Sequence, residues 1–302
     1  MNENQEKLLI TFVLPCYNVE NYVQQCLDSI YECDLPENQF EVLCVNDCST
    51  DNTACVLEEN QKRYGNLRVI THKYNKGWGG PRNTGIREAN GLYLWFVDAD
   101  DMIDGRSLSG ILHKAMAENI DVLCFNYRRV DNVGNELSAP VVFSEMSCQD
   151  GCSFAENAFG HCGIIYHMGY VWRFLYRVDY LQSRNLFFPE MVCWEDTVFM
   201  PKAILEAERV VAVPDVMYSY RVNPNSISGT FGRTYPAKLI YEFAFAAGSD
   251  LLRFSDEVKD EPLQAAFKSM AIKRYFNGFA IHLFRTSKDE RIEFYKMLKA
   301  RH

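Results

Sequence analysis

No run of apolar residues in this chain approaches the roughly 18 needed to span a bilayer, and every long candidate is interrupted by a charge or a glycine. The start, MNENQEKLLITFVLPCYN, lacks the basic region, apolar core and small-residue cleavage site of a secretory signal. A cytoplasmic protein is therefore expected, with the inner face of the cell membrane as the nearest membrane it would meet. Basic charge is also short. The 31 Lys and Arg against 40 Asp and Glu leave a net charge of −9, which argues against a general nucleic-acid binder. That balance does not exclude a nucleotide substrate whose phosphates meet a bound cation. The eleven cysteines include no CxxC pair and are odd in number, and the CxxxC spacings Cys44/Cys48 and Cys148/Cys152 are weak metal signatures. Reduced thiols are expected, several of them behaving as small hydrophobes on apolar faces. The six histidines, 72, 113, 161, 167, 282 and 302, form no metal set and read as structural or solvated. No repeat, low-complexity tract or flexible linker occurs, and no glycine-rich loop with a basic residue lies near residues 10–20 to grip a triphosphate.

What is present is ordinary globular composition: 302 residues, 48% apolar and 24% charged, enough for a large core. The most informative stretch is LYLWFVDADD, Leu92 to Asp101, a β-forming apolar run that stops on Asp98, Asp100 and Asp101. A strand this apolar reads as buried on both faces, as in a parallel α/β sheet, where ligands bind outside the carboxyl ends of the strands. Clustered carboxylates repel one another, and a hard cation bridging one or two of them to a substrate's phosphates would relieve that repulsion. An exposed acidic turn is the alternative for these three residues.

The first third alternates strand and helix. Ile10–Leu14, Phe40–Val45, Leu67–Thr71, Leu92–Val97 and Asp121–Tyr127 read as strands. Asn18 reads as the N-cap of a helix with Tyr22, Val23, Cys26, Leu27, Ile30 and Tyr31 on one face. Thr50 or Asp51 would cap a helix through Arg63, Pro81 suits the first turn of a helix to about Ala89, and Leu108–Ala117 forms another. Such alternation predicts a mostly parallel sheet flanked by helices. Residues 148–185 are aromatic-rich and mixed, Met217–Tyr220 reads as a strand, and the pattern from Pro236 is helical. Four polar, turn-forming segments fall at one end of the sheet: Pro15–Asn18, Asn46–Asp51, the Gly77–Gly85 loop with Arg82 and Asn83, and Asp98–Asp101. Together they describe a nucleotide crevice better than four unrelated loops.

The segments TFVLPCYNVENYVQQCLDSI, VNDCSTDNT, NKGWGGPRNTGI and VDADD resemble, in order and spacing, those of inverting nucleotide-sugar glycosyltransferases of family 2. The likeness resumes at Trp172–Tyr176, Trp194–Phe199 and Tyr218–Arg221, and covers roughly residues 10–230. It implies a GT-A type α/β fold with a C-terminal helical extension. Residues 1–230 would be the catalytic domain, 1–105 holding the donor and 106–230 the acceptor, and 231–302 the extension. The resemblance further implies that Asp47 holds the uracil or ribose of a UDP-sugar, with Pro15, Tyr17 and Asn18 lining the same pocket. Arg82 and Asn83 would brace nucleotide and sugar, Asp98 and Ala99 would lie beside ribose and donor sugar, and Asp100 would bind Mg²⁺ or Mn²⁺. Glu195–Asp196 matches the family's ED pair, with Asp196 favoured as the base and Glu195 as its rival or as an acceptor-orienting group. A helix N-terminus that favours negative charge would also account for the pair. Trp172 and Arg173 would form an acceptor subsite, although core packing serves Trp172 almost as well. Arg221, Asn223 and Ser226 match a flexible phosphate-contacting segment. The chain departs from the family at Cys48, where Gly is common, and at Pro81, where small residues such as Ala are frequent.

The expected activity is transfer of a sugar from a nucleoside diphosphate donor to a hydroxyl of a glycan acceptor, lipid-linked or free, in bacterial surface polysaccharide synthesis. Two other classes stay open: another metal-dependent nucleotide-using transferase, and a non-catalytic glycan- or nucleotide-binding relative. For the extension, packing on the catalytic domain or on a second subunit of a homodimer is preferred to peripheral docking on an anionic membrane.

Overall fold

A computed structural model describes residues 8–139, 143–155, 157, 170–190, 194–223, 236–292 and 296. The chain divides into two compact units, Met1–Val222 and Asn223–His302. Among the described residues no helix is long and apolar enough to cross a membrane.

The first unit is built on one ten-stranded sheet. Strand β1 (Ile10–Cys16) pairs in parallel with β2 (Phe40–Asn46) and with β4 (Tyr93–Phe96), and β2 pairs in parallel with β3 (Leu67–Thr71). Every residue of β2 and β4 is buried, which is why these strands read as unbroken apolar runs. Helix α1 (Val23–Tyr31) follows β1, α2 (Thr53–Arg63) follows β2, and α3 (Gly79–Glu88) precedes β4. Phe12 and Leu14 of β1 join one core with Val23, Cys26, Leu27 and Ile30 of α1 and with Leu108, Ile111 and Leu112 of α4 (Leu108–Ala117). Val13, between them in sequence, faces the other way, toward α3. A Cβ on Gly85 would lie 2.2 Å from Val13 Cγ1, so α3 approaches the sheet as closely as glycine allows.

Beyond β4 the sheet changes direction. β5 is Met102–Ile103, β6 Val122–Val130, β7 Glu136–Ser138, β8 Met146–Cys148, β9 Phe174–Arg177 and β10 Val210–Arg221. The order β3-β2-β1-β4-β9-β6-β10-β5 inserts β9 antiparallel between β4 and β6, while β6 and β10 run parallel. β10 is longer than the expected Met217–Tyr220. Pro214 and Asp215 fall inside it, between Ala212 and Val216, where its register against β6 shifts; proline cannot donate to a ladder and sits at such irregularities. Helix α5 (Val178–Ser183) follows β9, and α6 (Glu195–Leu205) leads toward β10. The sheet and its flanking helices have the expected α/β form, with the sheet mostly parallel. The start of α1 also differs: the helix begins at Val23 with Tyr22 as N-cap, and Asn18 instead adopts φ 53 in the preceding loop.

The second unit contains α7 (Ala237–Ser255) and α8 (Glu261–Arg285). Asp260 caps α8 by accepting from Leu263 N at 2.8 Å, and Pro262 sits in its first turn. The pair is in close contact where Gly278 meets Ala244, since a Cβ there would lie 2.5 Å from that of Ala244. Phe254 and Phe267 meet edge to face at 5.2 Å near the turn.

Candidate active site

The loops after β1 and β2 are tied to each other. Asp47 N donates to Cys16 O at 2.8 Å, Asn18 N donates to Ser49 Oγ at 3.1 Å, and Asn18 Oδ1 accepts from Thr50 N at 2.8 Å. The N-cap of α2 is Asn52 and not the expected Thr50 or Asp51; Asp51, just before it, accepts from Thr53 N and from Glu20 N and so joins the helix start to the first loop. Cys48 has φ 64, so the position does call for the left-handed conformation that favours glycine, and this chain carries a Cβ there nonetheless. Pro15 is the penultimate residue of β1, and Tyr17 just beyond it is 39% exposed. The Asp47 carboxylate is buried and accepts from Lys76 N through both oxygens at 3.0 Å and from His72 Nδ1 at 2.6 Å.

The centre of the site is Arg82, in the first turns of α3. Its guanidinium donates to Asp98 Oδ1 at 2.8 Å and to Glu195 Oε1 at 2.7 Å. It thereby joins the end of β4 to the start of α6, with Glu195 lying 113 residues beyond Arg82 in sequence. Burial opposes the charge on Arg82, but Asp98 and Glu195 outweigh it and raise its pKa above the ordinary value. Glu195 is itself buried, and its Oε2 has no hydrogen-bond partner among the described residues. Burial and then the Asp196 charge push the Glu195 carboxyl up to about 8 against the pull of Arg82. Asp196 is the more accessible of the two, half-buried in the first turn of α6, and its Oδ1 accepts from Thr197 N at 2.7 Å. Trp194, before them, is left-handed at φ 63.

The three aspartates after β4 have separate environments. Asp98 pairs with Arg82. Asp101 is buried and accepts from Tyr218 Oη at 2.8 Å and Arg221 N at 2.7 Å, while Tyr218 Oη also accepts from Asp98 N at 3.1 Å. Asp101 is thus a structural carboxylate, and burial together with the Asp100 and Asp98 charges holds it well above the usual range. Asp100 is half-buried, has no cation within ion-pair distance among the described residues, and is pushed up to about 6 by burial and by Asp98. Its donor chemistry fits a hard cation that takes one carboxylate from the protein and its remaining ligands from phosphate and water. Among the described residues no three His, Cys, Asp or Glu converge as an all-protein cage.

Several expected site residues have other work. Ala99 is 2% exposed and packs its methyl group into the core. Asn83 donates to Phe188 O and accepts from Phe188 N, both at 2.8 Å, so its buried amide braces the segment after α5 instead of reaching toward a ligand. Trp172 is 3% exposed, with its ring stacked on Tyr218 at 4.2 Å and on Tyr220 at 5.7 Å, so it has no open face for a sugar. Arg173 is buried against the rings of Tyr127 and Phe143. Arg221 is also buried, its guanidinium donating to Asp100 O at 2.8 Å and Gln25 Oε1 at 2.6 Å, which makes it a fixed brace instead of part of a flexible phosphate-contacting segment. Ser226 lies outside the described residues. Sequence reasoning gave no role to Tyr218, whose hydroxyl orders the aspartates, although it opens the Tyr218–Arg221 segment of the resemblance, and it gave none to His72, which lies in no motif.

Three comparisons bear on this arrangement. Residues 11–177 match the family model described as glycosyl transferase family 2. An uncharacterized glycosyltransferase of Bacillus subtilis, EpsJ, is 33% identical over 227 residues, which is 73% of this chain and 63% of that protein. The poly(ribitol-phosphate) beta-N-acetylglucosaminyltransferase TarS of Staphylococcus aureus is 32% identical over 210 residues, 69% of this chain and 34% of that protein. This chain thus spans less than two thirds of either relative. The crystal structure of TarS residues 1–349 in complex with UDP-GlcNAc superposes with a TM-score of 0.71 at 26% identity, covering 94% of this chain and 78% of that one.

Proposed function

The chain belongs to glycosyl transferase family 2, and from that premise we propose that it transfers a sugar from a UDP-sugar to a hydroxyl of a surface glycan or polyol-phosphate polymer, inverting the anomeric carbon. The observation that carries this reading is the Arg82 bridge. One guanidinium holds a carboxylate of the proposed donor side, Asp98 at 2.8 Å, and one of the proposed acceptor side, Glu195 at 2.7 Å. Such a bridge supports a single crevice with Asp100 and Asp196 beside its two ends.

In the proposed reaction the acceptor oxygen attacks C1 of the donor sugar as the bond from C1 to the diphosphate oxygen breaks. Asp196 takes the hydroxyl proton; it is the more accessible of the two ED carboxylates. Glu195 positions Arg82 and so keeps the guanidinium aimed along the edge of the site. Asp100 would hold Mg²⁺ or Mn²⁺ against the donor diphosphate, and the bound cation would offset the charge that collects on departing UDP. Asp47 meets the base and Pro15, Tyr17 and Asn18 line its pocket, so residues 1–105 form the donor half and 106–230 the acceptor half. The likeness to TarS, whose structure is in complex with UDP-GlcNAc, makes that donor the first to test.

The experiment is UDP release from a panel of UDP-sugars, with glycan and poly(ribitol phosphate) acceptors, with Mn²⁺ and with a chelator. Release that needs acceptor and cation, and that Asp196→Asn and Asp100→Ala abolish, is the expected result. No release and no thermal stabilisation by any UDP-sugar would point to a non-catalytic relative. Pyrophosphate from a nucleoside triphosphate would point to a nucleotidyltransferase.

A further inference from the structure

Asp47 owes its orientation to a histidine that no motif includes. His72 directly follows β3, and its N–H donates to Asn46 O at 2.9 Å, which extends the β2–β3 ladder by one residue. That extension lays its ring beside Asp47, with Nδ1 at 2.6 Å from Asp47 Oδ1 and Nε2 at 2.9 Å from Thr84 Oγ1 of α3. Both His72 and Asp47 are buried, at 8% and 2% exposure. An ionised carboxylate only accepts, so Nδ1 carries the proton, and in the neutral ring Nε2 accepts from the Thr84 hydroxyl. The relay therefore runs from α3 through Thr84 and His72 to Asp47. Asp47 is held independently by Lys76 N, at 3.0 Å from each oxygen.

A carboxylate has about four lone-pair positions. On Asp47 the imidazole and Lys76 N occupy both on Oδ1, and Lys76 N takes one on Oδ2, which leaves a single acceptor on Oδ2. We propose that His72 is a positioning residue for donor recognition, fixing Asp47 so that this one remaining acceptor meets a ring N–H of the donor's base. The inference deepens the UDP-sugar reading above and rests on it. Uracil presents such a ring N–H and cytosine presents a lone pair at the same place, so the relay makes Asp47 a discriminator between UDP and CDP. Without His72 the carboxylate gains a second rotamer and a second free acceptor, and that discrimination falls.

The test is calorimetric binding of UDP and CDP with Mn²⁺ to wild type, His72→Phe, His72→Asn and Thr84→Val, with thermal stability read alongside. Asn is the informative replacement, because its amide nitrogen can stand where Nδ1 does. His72→Phe should weaken UDP binding about tenfold, the effect of losing one hydrogen bond to a charged group, with kcat within about twofold. CDP binding should change little, so the UDP-over-CDP ratio shrinks. His72→Asn should recover most of the UDP affinity, and Thr84→Val should lose about threefold by freeing the ring. Equal UDP affinity in all four folded proteins would overturn the proposal, as would an Asn variant no better than Phe at unchanged melting temperature. Failure of the wild type to bind UDP at all would refute the underlying donor reading instead, before any variant is compared.

Discussion

Replacing Arg82 with methionine tests the electrostatic centre of the molecule. Its guanidinium holds two carboxylates, and the consequences differ because Asp98 has a side chain 29% exposed and Glu195 one 4% exposed. Asp98 can turn to water, but among the described residues Glu195 has no other side-chain partner, its second oxygen lacking one. Removing one member of a buried ion pair costs about 3–5 kcal/mol, and at about 2–4 °C per kcal/mol for a unit of this size the melting temperature should fall by roughly 6–20 °C. The loss should depend on pH. The folded Glu195 carboxyl sits near 8 against an ordinary 4.5, and it must rise further without the guanidinium. A group whose folded pKa is raised contributes stability that is complete below its unfolded pKa and is lost as pH climbs through the folded one. Up to about pH 8 both proteins keep the folded Glu195 protonated and lose stability in parallel, so the deficit of Arg82→Met should be level from pH 5 to about 8 and grow above it, by at most about 1.4 kcal/mol per unit. The double variant Arg82→Met/Glu195→Gln has no buried charge to strand. It should regain much of the lost stability above pH 8 and show no such slope. Thermal denaturation of wild type, both single variants and the double at pH 6, 8 and 9.5 closes the cycle. A single variant as stable as wild type at pH 8, or a double that simply adds the two single losses, would refute the reasoning.

Asp196→Asn should lower kcat by about 10²–10⁴ with donor affinity nearly unchanged, whereas Glu195→Gln should also raise the donor KM by disturbing Arg82; steady-state kinetics with a UDP-sugar separates them. Gly85→Ala places a methyl 2.2 Å from Val13 Cγ1 and should cost about 1–3 kcal/mol in urea denaturation, with recovery in the Gly85→Ala/Val13→Ala pair. Trp172→Ala should cost about 3–5 kcal/mol, because both faces of its ring are packed; loss of acceptor affinity at full stability would reinstate it as a sugar platform.

What could be read from the chain and what could not divides along one physical line. Strands β1, β2 and β4 announced themselves because burial on both faces leaves a continuous apolar run, and the run ending at Asp98 also marked where the chemistry would lie. Pro81 at the start of a helix was legible for a similarly local reason. Everything decided by partners far along the chain was silent. β9 enters between β4 and β6 through pairings such as Leu94 with Tyr176, and nothing in FLYR states that it runs antiparallel. Asn83 and Trp172 look like ligand residues in sequence because amides and indoles often are. Only Phe188, 105 residues from Asn83, and Tyr218 and Tyr220 on β10 reveal that their polar atoms or ring faces are already engaged. The same rule explains the aspartates. DADD shows three equal carboxylates, yet Arg82 takes Asp98, Tyr218 and Arg221 take Asp101, and Asp100 is distinguished by what those partners leave. In a charged site of this kind a residue's role follows from which of its atoms the protein has not already bound, and that remainder is a property of the fold.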